Sequence, residues 1–263
     1  MRSRLAIHSL AVLAACTLAA PAMAWQCTAR SQSRTTALVE LYTSEGCSSC
    51  PRADRWLSTL GRPGAAGSVV PLALHVDYWD DLGWRDPFAG HGFSLRQRAL
   101  AALAHASFVY TPQVLLQGRD FRAWGSAAFD LQLARINVQP AKAAIRLSLT
   151  QARQDALLVD AHAVLAGVRE ASGAALYLAS YENRLVSRVR RGENEGRTLT
   201  HDYVVVDLAG PFDFGTDRRV AARRELALRP GAAASNAGVA AFVQDQRSAE
   251  VLQALMLSAC PGR

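Results

Sequence analysis

The fold turns on residues 37–57, ALVELYTSEGCSSCPRADRWL. Ala37 to Tyr42 is a short, mostly apolar run of strand type. From Cys47 toward Leu60 the pattern turns helical: Ala53, Trp56, Leu57 and Leu60 recur at i, i+3, i+4 and i+7 and make one apolar face. Arg52, Arg55 and Thr59 lie opposite. Gly46-Cys47-Ser48-Ser49-Cys50-Pro51 therefore occupies a strand-to-helix junction, with Pro51 compatible with a first helical turn. Unpaired backbone N–H groups and the positive helix end lie next to a sulfur placed there. Such surroundings stabilise a thiolate and lower a cysteine pKa from about 8.5 to between roughly 3.5 and 7.5. The sulfur of Cys47 is thus expected to be exposed and anionic. Cys50, three residues on, comes within bonding reach, so one sulfur can attack a disulfide and the other resolve the mixed disulfide.

Working outward, Gly61, Pro63, Gly64 and Gly67 break the helix, and Val69 to Val76 is an apolar run of the kind buried on both faces. A loop, 77–88, follows. Ser94 and Gln97 have capping-box spacing before a helix carrying Leu100, Leu103 and Ala104. Tyr110 to Leu116 reads as a strand entered through Pro112, Gly118 turns it, and Phe121 to Trp124 can return as a hairpin strand. Ser126 to about Val138 reads as a helix. Strands alternating with helices predict a central mixed sheet with flanking helices, an α/β domain over 35–138. After Pro140 the segments near 143–149, 156–165, 174–182, 203–208, 218–228 and 238–244 are short, often alternating and separated by turns. They predict a separate β-rich, sandwich-like domain over 142–260. Ser248–Leu257 reads as a helical tail leading to Cys260.

Residues 1–24 have the form of a secretory signal, with Arg2 and Arg4, an apolar stretch, and Ala22-Met23-Ala24 as a small-x-small cleavage site. Leu13-Ala14-Ala15-Cys16 offers a competing lipoprotein reading through Cys16. Either reading puts the mature domain, periplasmic or secreted, where disulfides persist. Four cysteines remain, and the simplest pairing is Cys47–Cys50 as a redox couple and Cys27–Cys260 as a structural staple; the alternative is two unpaired thiols near the chain ends. Closing so long a loop is worth roughly 4–5 kcal/mol on chain-entropy grounds.

Half of the 263 residues are apolar and 19% are charged, which excludes a mostly disordered chain. No run of apolar residues after the leader is long enough to cross a membrane as a helix. The net charge of +7 falls to +5 without Arg2 and Arg4, and it is almost all arginine, since Lys142 is the single lysine. No nucleic-acid motif accompanies that charge, so no nucleic-acid partner is expected. Arg188, Arg190 and Arg191 read as a solvated face.

The strand, the cysteine pair at a helix start, the apolar second strand and the Thr111-Pro112 step resemble the thioredoxin superfamily. That resemblance implies a thioredoxin-like fold, a cis Pro112 and a Pro112 loop lying against the disulfide. Gly46 stands where thioredoxins usually carry tryptophan. Glu45 to Pro51, His75-Val76-Asp77-Tyr78-Trp79-Asp80, Leu82 to Phe88, Arg96-Gln97-Arg98 and Tyr110 to Gln113 look like a bacterial secreted family known only as domain of unknown function 1223. Gly192-Glu193-Asn194 and His201-Asp202 look like it too. It implies a thioredoxin-like domain followed by a β-rich one and names no substrate.

The functional expectation is an exported thiol–disulfide oxidoreductase acting on protein or small-molecule thiols and disulfides. Cys47 is the nucleophile, Cys50 resolves, and Pro112 lies alongside. Ser48, Ser49, Pro51, Thr111, His75 and Glu45 support them. No cofactor is required, because the disulfide is itself the redox group, and no resident metal is expected. Two alternatives stand beside it. In one, Cys47 and Cys50 bind copper or zinc, with His75 completing the site. In the other, the Cys47–Cys50 bond is a clip in a non-catalytic binding domain. His75 could otherwise be a hydrogen-bonded core histidine and Glu45 a solvated loop carboxylate. Asp77, Asp80, Asp81 and Asp86 read as turn and cap residues. Trp79, Trp84 and Phe88 are candidates for a substrate groove or for the loop's own small core. Gly192-Glu193-Asn194 and His201-Asp202 have turn character and are candidates for a site between the two halves.

Overall fold

The computed structural model describes residues 25–61, 69–167 and 173–261, so the leader and Cys16 lie outside the described residues. In chain order the elements are β1 (Gln26–Arg30), β2 (Ala37–Thr43), α1 (Cys50–Leu57), β3 (Val69–His75), α2 (His91–Leu103), β4 (Gln113–Leu116), β5 (Arg119–Asp120), α3 (Ala127–Asn137), β6 (Ala143–Arg153), β7 (Ala156–Leu165), β8 (Ala174–Glu182), β9 (Leu185–Arg188), β10 (Thr198–His201), β11 (Val204–Asp213), β12 (Arg219–Ala227), β13 (Ala237–Asp245) and β14 (Val251–Ser258).

The expected helix-flanked α/β thioredoxin-like domain followed by a separate sandwich-like domain is not what forms. The chain is β-rich, with three α-helices among its described residues. One eight-stranded sheet, in the order β14-β13-β8-β11-β3-β2-β4-β5, combines strands of both halves of the sequence. The junction is β11 beside β3, parallel, with Val204 opposite Ala73. A strand buried on both faces, as β3 is, still has two polar edges to satisfy. β2 takes one of them in parallel register and β11 the other. A second sheet, β1-β6-β7-β12, packs on the large one. Leu147, Leu149, Val159 and Ala161 meet Leu178, Val239, Ala241 and Leu252 in that core. β6 shows the alternation its sequence predicts, with Ala143, Ile145, Leu147 and Leu149 buried.

Around β2 the large sheet is covered on both faces. Leu38 and Tyr42 point to a core shared with Phe93 and Leu100 of α2. Ala37, Val39 and Leu41 point to a core shared with Ala53 and Leu57 of α1 and Phe129 and Leu133 of α3. α3 begins where its cap predicts, the Ser126 hydroxyl accepting from Ala128 N–H.

Three local expectations are corrected. Ser248–Leu257 does not form a helical tail: Val251–Ser258 is β14, paired antiparallel with β13. An apolar run this short fits either element by periodicity, and the open edge of β13 decides it. Phe121–Trp124 is not a hairpin strand. β5 is two residues long, and Phe121 and Trp124 pack instead around Phe129 and Trp56. Ser94 and Gln97 do not form a capping box, since α2 starts at His91 with Gly90 as N-cap. Both are buried, with Ser94 Oγ bonded to Asp77 and Gln97 donating to Gln113 Oε1 and the Tyr110 carbonyl.

Gly118 turns β4 into β5 at φ +77°, and a Cβ there would run into the Ala249 carbonyl. Gly118→Ala thus combines a left-handed conformation with a backbone collision. It is expected to cost about 3 kcal/mol of unfolding free energy, measured by urea denaturation. A change below 1 kcal/mol would show that this approach is not tight.

Candidate functional site

β2 and β3 run parallel and end level, Thr43 opposite His75. Here residues 44–49 cross that end and α1 begins, with Ser49 as N-cap and Pro51 in its first turn. Cys47 and Cys50 form a disulfide with Cα atoms 5.4 Å apart. Cys27 and Cys260 form the second, joining β1 to the residues after β14.

The sulfur of Cys47 is not exposed as expected: Cys47 is 1% and Cys50 0% accessible, while Ser48 and Ser49 between them face solvent. Cys47 lies ahead of α1 and Cys50 is its first residue. The cover comes from the hairpin β9–β10, whose connecting loop 189–197 folds over the motif. Asn194 Nδ2 donates to the carbonyls of Glu45 (2.8 Å) and Cys47 (2.9 Å). Ser48 N–H donates to Glu193 Oε2 at 2.9 Å, and the Ser48 hydroxyl first, with this N–H second, holds the Glu193 carboxyl below the usual carboxylate range. Ser49 Oγ lies 3.3 Å from Cys47 Sγ.

Behind the pair is a buried cluster of imidazoles and carboxylates. Glu45 is not a solvated loop carboxylate but is fully buried. It accepts from Trp84 Nε1 (2.8 Å), Ser187 Oγ (3.0 Å) and His201 Nε2 (3.0 Å). Asp86, read from sequence as a turn residue, is buried and holds His75 Nδ1 at 2.7 Å. It also accepts from the N–H groups of Glu45 and Phe88. Asp54 accepts from Thr43 Oγ1 at 2.8 Å, and its other oxygen lies 3.7 Å from His201 Nδ1. The rings of His75 and His201 meet edge to face at 5.0 Å, with Phe88 against both. His75 Nε2 and His201 Nδ1 are buried without a hydrogen-bond partner. Leaving a buried polar atom without a partner costs free energy.

The other residues expected from sequence are placed as follows. The Thr111–Pro112 peptide is cis. Trp79 links that turn to the cysteine loop: its Nε1 donates to Thr111 Oγ1 at 2.8 Å, and a Cβ on Gly46 would come 3.1 Å from Trp79 Cβ. Trp79 and Trp84 are half-buried, whereas Phe88 is buried under the Arg229 guanidinium and offers no groove wall. Asp77 caps locally, bonded to Ser94 and His91. Arg188, Arg190 and Arg191 are exposed. Sequence reasoning missed Asp54. Its signal was a carboxylate one turn after Cys50 on the apolar face of α1.

Burial by itself disfavours the imidazolium of His75, yet the Asp86 carboxylate outweighs it and holds the pKa above the ordinary histidine value. Burial likewise pushes Asp86 up, and His75 outweighs that, leaving Asp86 below the carboxylate range. Burial raises Asp54, and the attraction of His201 at 3.7 Å does not outweigh it. The lowered Asp86 contributes stability above about pH 4 that is lost as pH falls through its folded value. The raised His75 contributes fully below about pH 6.5 and loses it as pH rises through its folded value. The pair's contribution to unfolding free energy therefore peaks between about pH 4 and 6.5. Urea titrations of the protein and of Asp86→Asn should differ most in that window. A constant difference across pH 3–9 would refute the pairing.

Among the described residues no group of three or more His, Cys, Asp and Glu is arranged to hold a metal ion. No described helix is long and apolar enough to cross a membrane. A cavity of about 1020 Å³ lies away from the motif, between Gln117, Phe121, Ile136, Lys142 and Glu250.

No curated protein matches the chain. Among solved structures, protein AGR_C_4864 from Agrobacterium tumefaciens is 25% identical, over 88% of this chain and 98% of its own, with a TM-score of 0.61. HBP35 of Porphyromonas gingivalis is 15% identical, over 87% of this chain and 76% of its own, with a TM-score of 0.66, a likeness of fold alone. The family described as protein of unknown function DUF1223 matches residues 38–244, the stretch that holds the cysteine pair, its covering hairpin and the buried cluster, and the chain belongs to that family.

Proposed function

We propose that the protein is an exported thiol–disulfide oxidoreductase whose redox group is Cys47–Cys50. The observation that carries this reading is a disulfide with two intervening residues whose flanking carboxylates, Glu45 and Asp54, belong to a buried imidazole–carboxylate cluster. Reducing a buried disulfide needs two electrons and two protons. The charged thiolates that result are unfavourable where water is excluded. Asp54, one turn after Cys50 on α1, is a carboxyl that burial keeps prone to hold a proton. His201 and His75 carry the two nitrogens without partners.

In the reducing direction the Cys47 thiolate attacks one sulfur of a substrate disulfide. The substrate's S–S bond breaks, its other sulfur leaves as a thiolate, and a mixed disulfide forms on Cys47. The Cys50 thiolate then attacks Cys47 Sγ and closes the protein disulfide, and the second substrate thiolate leaves. The substrate gains two electrons and the protein loses them. In the oxidising direction each step reverses. The partner is a protein or low-molecular-weight dithiol or disulfide, and the leader form places the reaction in the periplasm or outside the cell.

The burial of both sulfurs favours a second reading, a binding domain in which Cys47–Cys50 is a clip. Equilibration with mixtures of reduced and oxidised glutathione separates the two. An oxidoreductase pair titrates within the range of known redox proteins, roughly −120 to −270 mV. A pair that stays oxidised throughout, with a potential below about −300 mV, sinks the oxidoreductase and leaves the clip.

A further inference from the structure

We infer that the tip of the β9–β10 hairpin is a movable cover over the redox pair, held shut by Asn194 and Glu193, and that it must lift before Cys47 can react. The inference builds on the oxidoreductase reading and names how access to that site is controlled.

Attack on a disulfide sulfur needs a nucleophile in line with the S–S bond, so a sulfur 1% accessible cannot be reached in the closed form. What closes it is specific. The Asn194 amide donates both its N–H groups, to the carbonyls of Glu45 and Cys47, and its Oδ1 accepts from Arg197 at 2.7 Å. The Glu193 carboxylate takes the Ser48 N–H. These bonds run to the main chain of the cysteine loop, so they do not depend on the oxidation state of the sulfurs.

The tip of the hairpin is built to move as a piece. β9 and β10 form a two-stranded sheet of their own, outside both larger sheets. An isolated pair of strands is marginal by itself. The loop is closed internally, Gly196 N–H donating to the Val189 carbonyl and Val189 N–H to that of Arg197. Gly192 and Gly196, both at φ +79°, flank the two covering residues, and a Cβ on Gly196 would touch nothing within 4 Å. The base is fixed differently. Ser187 and His201 are tied to Glu45, and Val189 and Leu199 are buried. The tip can therefore open while the base stays docked, a local opening well below global unfolding.

Asn194 and Glu193 are positioning residues, and the test reads access to sulfur rather than enzyme turnover. The full mature chain, oxidised, is reduced by dithiothreitol under native conditions, and loss of the Cys47–Cys50 bond is followed by quenching with iodoacetamide and mass spectrometry. Asn194→Ala should speed reduction about tenfold or more, the equivalent of one lost hydrogen bond. Glu193→Ala, at an exposed side chain that the fold does not need, should speed it several-fold. The acceleration should persist at urea concentrations too low to populate the unfolded state and should change little with urea, because a local opening exposes little surface. Unchanged rates in both variants overturn the cover. So does an acceleration that rises with urea as steeply as global unfolding. If Asn194→Ala does not fold, Glu193→Ala decides alone. A protein that cycles in glutathione yet shows equal rates in all three forms keeps the oxidoreductase reading and loses the cover. Faster reduction with a potential below the glutathione range does the reverse.

Discussion

Cys50→Ala protein, reduced and then offered a disulfide substrate, should accumulate a stable mixed disulfide on Cys47, and Cys47→Ser should accumulate none. The asymmetry follows from position. Cys47 precedes α1 and lies under the loop whose Asn194 side chain donates to its carbonyl, so lifting that loop uncovers it. Cys50 is the first residue of α1, 0% accessible, with Asp54 one turn behind it. In the proposed cycle Cys50 is the resolving thiol, so its removal lets the trapped species persist. Removing Cys47 deletes the sulfur that a substrate can reach, and turnover should fall to background. Intact-mass analysis after acid quench distinguishes the two, since the adduct adds one substrate thiol. An adduct on Cys50 in Cys47→Ser, formed as fast as the expected one, would reverse the assignment of nucleophile and resolver.

The second large effect is on stability. Cys27→Ala together with Cys260→Ala should lower the unfolding free energy by about 5 kcal/mol, because the bond closes a loop of 233 residues in sequence separation. That is a third or more of the stability of an ordinary domain. Chemical denaturation under oxidising conditions measures it, with the midpoint temperature expected to drop by roughly 10–20 °C for a chain of this size. The bond joins β1, an edge strand paired with β6, to Cys260, two residues past the edge strand β14 of the other sheet. It therefore clasps the two layers where each ends. A loss under 1 kcal/mol would mean that these edges hold without it. The two disulfides should also be separable. Reducing Cys47–Cys50, whose cysteines are three apart in sequence, returns little chain entropy to the unfolded state.

Much of the candidate site was legible locally. A strand, two cysteines and a helix face can be read from 37–57 because all of the interactions that place them lie within a few turns of chain. Ser126 announces itself through its capping chemistry, and the cis Thr111–Pro112 bond followed from the family resemblance. Asp86 and Asp54 were harder. A carboxylate in a loop or beside an apolar stripe looks like a cap until a histidine from another element closes on it. His201 is 147 residues beyond Asp54 in sequence, and no spacing rule links them. The tail, Val251–Ser258, failed for a different reason. With alternate and adjacent positions both apolar it has no preferred period, and only the free edge of β13 makes it a strand.

By itself the sequence determined the short-range elements: that a strand leads through the cysteine pair into a helix, which residues of β6 face inward, and that two sulfurs three residues apart can bond. The tertiary structure decided three other things. Val204 lies beside Ala73, so both halves of the chain share one sheet. Asn194 closes over Cys47. Glu45, His75 and Asp86 lie out of water. The reason is physical. Helix and turn formation are driven by contacts a few residues apart, and these leave a periodicity. Strand edges and buried ion pairs are satisfied by partners more than a hundred residues away, whose identity is set by what else competes for the same edge or the same buried proton.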